Sequence, residues 1–294
     1  MVNTSINQNM SDDELVSRIL SGCKNSLELI IQKYQIWIYN IVIRMVLLPE
    51  DAEDITQEIL IKIITNLSAF EHRSSFQTWL FRIVKNHVLN MKKRKSEIQY
   101  YSLSAYGKSI DNSLDYDPPD TNSLPVEMKV IMDEIQIHCM IAMLLCLNRK
   151  QRLIFILGEI IGIDHNIGSK IFEISKSAFR KRLSRARNQI YRFMQERCGL
   201  VQKENVCHCK NKLSELIDKS VIDPNNIIYK SDSKIRSIAQ TKHRKLLTLL
   251  DQKCRMIFQK NTVIQSPDFI MEMKNFIYGN DVSSLFKTKF TQYN

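Results

Sequence analysis

A chain that turns often needs glycine and proline, and this one has seven glycines and six prolines in 294 residues. Hairpin turns call on glycine repeatedly, so the composition argues against an all-β fold and rules out collagen-like and Gly- or Pro-rich disordered chains. Long stretches instead carry apolar residues at steps of three and four, the period of a helix buried along one face. The expected fold class is all-α: two helical domains joined by a flexible linker, followed by a helical C-terminal extension. No stretch reaches the roughly 18 apolar residues of a membrane span. The polar, acidic opening MVNTSINQNMSDDEL predicts no secretory signal, and with it a cytoplasmic location without membrane insertion. Seven scattered cysteines do not make a disulfide framework.

The net charge of +11 points to an anionic partner, and its distribution says more than its size. Residues 1–70 carry −4, 71–97 carry +5, 98–147 carry −5, 148–197 carry +8 and 198–294 carry +7. Two separate basic blocks suit a protein that touches an anion at two places. Residues 98–125 are rich in Ser, Asp and Asn, hold three prolines and show no helical period, so they read as linker. At up to ~3.5 Å per residue such a stretch reaches about 90 Å.

Residues 12–45 read as a helix with a drift near Gly22, opened by the capping-box pair Ser11 and Glu14. Pro49 starts the next helix, on which Asp54, Gln57 and Glu58 fall at i, i+3 and i+4 and share one face. Residues 69–75 form a loop. A helix from Phe76 buries Phe76, Leu80, Ile83/Val84, His87/Val88 and Met91 and turns Gln77, Arg82, Lys85, Asn86 and Asn90 outward, ending at Lys92–Lys95. Trp79 flanks the buried stripe. It packs as core, or it stacks an unpaired base while neighbouring cations hold phosphates. The basic end also suits the helix macrodipole without any ligand.

The segment DAEDITQEIL…SSFQTWLFRIVKNHVLNMKKRK resembles domain 2 of bacterial RNA polymerase sigma factors, of the extracytoplasmic-function (ECF) group, over about residues 12–96. The resemblance implies that Asp54, Gln57 and Glu58 dock on core RNA polymerase. It implies that the loop from Phe70 to Ser75, with Arg73, Trp79, Arg82, Lys85, Asn86 and the basic end, melts and reads the −10 promoter element. Asn90 departs from the family, which often has Asp there.

The second module begins with a helix over 128–147. Three helices follow at about 149–161, 165–172 (capped by Asp164) and 176–196, with a tight link at Glu173–Ser175 between the last two. Two helices joined by such a turn form a helix-turn-helix. The last helix buries Phe179, Leu183, Ala186 and Ile190 and presents Lys176, Ser177, Arg180, Lys181 and Ser184, flanked by Arg185 and Arg187. Eight basic residues and one acidic residue between Lys176 and Arg197 favour major-groove insertion over a merely solvated face. ISKSAFRKRLSRARNQI resembles sigma domain 4, which reads the −35 element and touches the polymerase flap. Ser177 and Ala178 replace the family's Gly-Thr, and Gly168 interrupts the short helix at a cost of about 1 kcal/mol relative to alanine.

The domains are therefore expected at 11–97 (domain 2), 98–127 (linker), 128–197 (domain 4) and 198–294, an extension. In the extension, Cys198, Cys207, His208 and Cys209 are weak metal candidates, with zinc the possible ion and Cys254 or His243 as further ligands. Buried or redox-active thiols are the competing reading. Lys242–Lys245 make a solvated face or an extra DNA or core polymerase contact. The chain has no P-loop, HExxH, G-x-S-x-G or dinucleotide fingerprint, so no enzyme is expected. The expected function is a sigma factor that binds core RNA polymerase and directs initiation at promoter DNA, with an anti-sigma factor as a further candidate partner. The alternative is a helix-turn-helix regulator acting without core polymerase, which leaves the first module unexplained.

Overall fold

The computed structural model describes residues 10–99, 102–113, 126–229, 249–260 and 263–278, and among them there is no β-strand. The first expected helix is two. Ser11 caps α1 (Asp12–Leu20) by accepting the Glu14 N–H at 3.2 Å. The chain then breaks at Gly22, and α2 (Lys24–Val46) runs through the centre of the molecule. From Ile38 to Val46 every α2 residue is buried, polar ones included. Asn40 and Arg44 are tolerated there because each is bonded: Arg44 donates to the Asn40 carbonyl at 2.8 Å, and Asn40 donates to Ile264 O at 2.8 Å and accepts the Ile264 N–H at 2.7 Å. Pro49 opens α3 (Pro49–Thr65), and Ser75 caps α4 (Phe76–Asn90). With α1, these helices pack around α2.

The region read as structureless linker carries two short helices, α5 (Lys95–Gln99) and α6 (Leu103–Asp111). Here local sequence misled, because tertiary contacts hold α6. Tyr106 stacks on Phe193 at 5.7 Å, and Arg197 pairs with Asp111 at 3.2 Å. Residues 114–125 of the linker lie outside the described residues.

Then come α7 (Met128–Leu145), α8 (Arg149–Phe155) with a π-turn at Ile156–Ile160, α9 (His165–Phe172) and α10 (Lys176–Arg197). Asp164 caps α9 by accepting the backbone N–H groups of Asn166 and Ile167. Glu173 takes a left-handed conformation to make the turn into α10. Gly168 has a packing reason: a Cβ there would lie 2.4 Å from the Phe179 ring, so only glycine lets α9 and α10 close together.

The two modules are packed against each other over one continuous apolar core. Glu97, at the end of the first, is buried and receives Arg149 at 2.6 Å and Arg152 at 3.0 Å from α8. The extension adds α11 (Leu213–Asp218), α12 (Leu249–Lys260), α13 (Phe269–Glu272) and α14 (Lys274–Tyr278). Its strands of contact reach both modules. Tyr229 Oη donates to Leu47 O at 2.6 Å, and Gln195 donates to Asp251 at 2.8 Å. In the extension α12 is described only from Leu249, and α13 and α14 meet at Met273; Lys242–Lys245 and His243 lie outside the described residues.

Candidate nucleic-acid interface

Between α3 and α4 lies a cavity of about 670 Å³, within the range of small-molecule pockets and large enough for a nucleotide. Its walls carry Trp79, Asn86 and Asn90 from α4, Glu58 and Lys62 from α3, and Lys92 and Arg94 from the basic end. Asn86 and Asn90 are exposed and one turn apart, so their amides offer donors and acceptors side by side. Trp79 is half-buried, held at 5.5 Å from both Phe70 and Phe76. That packing fixes the indole while leaving part of it at the cavity. His87 closes the wall, contacting Lys62 at 2.8 Å and Glu58 at 3.2 Å. Burial first, and the Lys62 charge second, lower its pKa, so the imidazole is neutral at pH 7 and accepts from Lys62.

The residues expected at the −10 element divide into two groups. Arg73, Ser75 and Asn86 are exposed, and Trp79 reaches the cavity. Phe70 is instead buried in the aromatic cluster, T-shaped on Phe76 at 5.4 Å, and supports Trp79 from behind. Arg82 and Lys85 turn away from solvent toward the second module. Arg82 donates to Lys170 O at 3.0 Å, and Lys85, nearly buried, pairs with Glu173 at 2.9 Å. Lys62, Lys92 and Arg94 complete the cavity without having been singled out individually, and Asn90, read as turned outward, joins them. The four-residue step from Asn86 to Asn90 was the available signal.

On α3, Asp54 and Glu58 are exposed and Gln57 is half-buried, so the acidic row does face outward. It belongs to a larger acidic patch. Glu53 has its pKa raised by burial and then by the nearby charges of Glu272, Asp54 and Glu50, and Glu272 comes from the extension.

On α10, Lys176, Ser177, Arg180, Lys181, Ser184 and Arg185 are all exposed, a basic face above the buried Phe179, Ala186 and Ile190. Arg182 is exposed as well and joins this surface. Arg187 departs from expectation. Its guanidinium forks onto Glu159, which is fully buried and also accepts from Tyr191 Oη at 2.8 Å. Arg187 is thus a structural cation, one turn from the face it was expected to extend.

Residues 30–98 match the family Sigma-70 region 2. The RNA polymerase sigma-H factor of Pseudomonas aeruginosa is 29% identical over 191 residues, a match that takes in 63% of this chain and 94% of that protein. The ECF RNA polymerase sigma-E factors of Haemophilus influenzae and Escherichia coli K12 are each 25% identical, over 189 and 192 residues, and each is covered over 95% of its length. The chain carries a sigma-70 region 2 and is similar to ECF sigma factors over 63% of its length. Among solved structures, CnrH in complex with the cytosolic domain of CnrY aligns with 16% identity and a TM-score of 0.39, over 70% of this chain and 96% of that one.

Against those relatives, this sigma factor carries additional sequence beyond the matched 63%. Among the described residues no helix is long and apolar enough to cross a membrane, and no three His, Cys, Asp or Glu side chains stand together as a metal centre. The candidate set of Cys198, Cys207, His208 and Cys209 is divided: the three cysteines line one small cavity, and His208 does not.

Proposed function

We propose that this sigma factor joins core RNA polymerase to promoter DNA through three surfaces. The acidic row Asp54, Gln57 and Glu58 docks on the polymerase. The cavity between α3 and α4 takes an unpaired base of the −10 strand, and the exposed face of α10 reads the −35 duplex. The cavity carries this reading. It sets an aromatic ring, the exposed amides of Asn86 and Asn90 and three cations around a nucleotide-sized space, and Glu58 of the docking row lines the same space.

The energetics suit binding without chemistry. Unstacking a base costs a few kcal/mol. Stacking on an aromatic side chain returns about 1–3 kcal/mol per base. Lys92 adds a phosphate contact, Arg94 adds another once it releases Asp51, to which it is paired at 3.3 Å, and the Asn86 and Asn90 amides add base-edge hydrogen bonds. On α10, Arg180 and Lys181 supply the donors that pair with guanine edges in the major groove. No nucleotide hydrolysis is needed, and the protein acts in the cytoplasm as a non-enzymatic subunit. Arg82 and Lys85 reach DNA only once they release Lys170 and Glu173, so α9 must part from α4 for both DNA surfaces to work together.

In vitro transcription with purified core polymerase tests this. Promoter-specific transcripts are expected only when the chain is added. Asp54→Ala with Glu58→Ala should lower affinity for core; unchanged affinity removes the docking assignment. Arg180→Ala with Lys181→Ala should cut −35-dependent transcripts at least tenfold and leave core affinity within twofold. Equal loss of both would refute the division of surfaces.

A further inference from the structure

Cysteines distant in sequence are gathered by the fold. Cys139 on α7, Cys198 after α10, and Cys207 and Cys209 beyond it line one cavity of about 30 Å³. That is room for a single small particle. Two backbone hydrogen bonds of 3.0 Å fix the arrangement: Cys207 N–H donates to Arg197 O, and Gly199 N–H donates to Cys207 O, which makes Cys198 and Cys207 bridge partners.

His208 stands apart from this group. Its backbone is extended (φ −106°, ψ 118°), so its neighbours Cys207 and Cys209 project to one side and His208 to the other. A Cβ on residue 199 would lie 2.7 Å from His208 Nδ1, so the imidazole rests on Gly199. His208 lines neither this cavity nor the larger neighbouring one of about 440 Å³, whereas Cys139, Cys207 and Cys209 line both. The larger cavity supplies an entry path.

None of these cysteines is in a disulfide. Hard ions select oxygen ligands, and soft ions select thiolates. Structural zinc wants four ligands closed around it, and no group of three is preassembled among the described residues. An ion satisfied by two thiolates fits better.

We propose that Cys139 together with the Cys207-x-Cys209 pair forms a binding site for a soft, monovalent, thiophilic metal ion of the Cu(I) type. Two thiolates bind it, one from α7 and one from the C-x-C pair. Their two protons pass to solvent as the metal–sulfur bonds form, and no oxidation state changes. Occupancy ties α7 to the segment that follows the recognition helix.

The test is anaerobic titration of the reduced full-length chain with Cu(I) in competition with a chromophoric Cu(I) chelator. One equivalent per chain is expected, with a thiolate-to-metal charge-transfer band in the ultraviolet. Cys139→Ser and the double variant Cys207→Ser with Cys209→Ser should each lower affinity at least tenfold, and His208→Ala should change it less than twofold. Because Cys139 is packed among helices, a second measurement uses the unaltered chain: Cu(I) should protect Cys207 and Cys209 from alkylation and leave the labelling rate of Cys23 unchanged. No binding beyond the chelator, unchanged affinity in Cys139→Ser, loss in His208→Ala, or unprotected Cys207 and Cys209 would overturn the site. Zinc(II) binding tighter than Cu(I) would overturn the choice of ion.

Discussion

Glu97 joins the two modules, and Glu97→Gln tests how much that joint is worth. The carboxylate side chain is 2% exposed and accepts from Arg149 at 2.6 and 2.9 Å and from Arg152 at 3.0 Å. Gln keeps the shape and removes the charge, leaving Arg152, itself 3% exposed, without its carboxylate. Removing one partner from a buried pair costs about 3–5 kcal/mol. Arg152 still donates to the carbonyls of Met45, Leu144, Leu145 and Leu147, which soften the loss toward about 3 kcal/mol. At ~2–4 °C per kcal/mol for a chain of this order, thermal melting should fall by about 6–12 °C. Circular dichroism melts at pH 7 and at pH 3 would measure it. The pH dependence supplies an internal control. Burial pushes the Glu97 pKa up, but the Arg149 hydrogen bonds and the Arg152 charge prevail and hold it below the usual carboxylate range. A carboxyl with a lowered folded pKa contributes stability that is present above its unfolded value of about 4.3 and is lost as pH falls through the folded one. The gap between the two proteins should therefore shrink toward pH 3. A variant that melts within 2 °C of the parent at pH 7, or a gap that stays constant with pH, would refute the reasoning.

Two further outcomes follow from burial. His138 has its pKa lowered by burial to about 4, so the folded chain resists the proton that the unfolded chain takes up near pH 6.5; stability should fall by up to about 3 kcal/mol between pH 6.5 and 4. Urea unfolding at pH 7.5 and 4.5 should show this loss, and His138→Gln should reduce it; an identical slope in the variant would count against the assignment. Gly168→Ala separates local from tertiary reasoning: helix propensity alone favours the variant by about 1 kcal/mol, whereas overpacking against Phe179 costs about 1–3 kcal/mol. A lowered melting temperature is expected, and a raised one would mean that Phe179 moves aside without cost.

Features that depend on a few neighbouring residues were legible in the sequence. Ser11, Ser75, Asp164 and Ser175 each cap the helix they were placed to start or stand directly before, and the turn at Glu173 joins the two helices it was expected to join. The acidic row on α3 and the exposed basic face of α10 follow from the 3.6-residue period alone. The helix at Leu103–Asp111 was hidden because it is only nine residues long inside a Ser- and Asp-rich stretch, and its support comes from α10. Gly168 read as a flaw because the reason for it, Phe179, acts from the following helix.

Arg185 and Arg187 show why the remainder was out of reach. They lie two residues apart on one helix in the run LSRARNQ, and nothing local separates a cation meant for phosphate from one meant for a carboxylate. The distinction is made by Glu159, 28 residues upstream, whose buried carboxylate takes Arg187 and leaves Arg185 exposed. Arg82 and Lys85 repeat the case over a longer span, since their partners Lys170 and Glu173 are each 88 residues away. Cys139 repeats it for the thiols, whose neighbours lie beyond the end of α10. Charge sign and periodicity say which residues can face an anion. Which of them are left free to do so depends on counter-charges that the chain brings back from far along its length, so a basic block in sequence overstates the surface that can hold DNA.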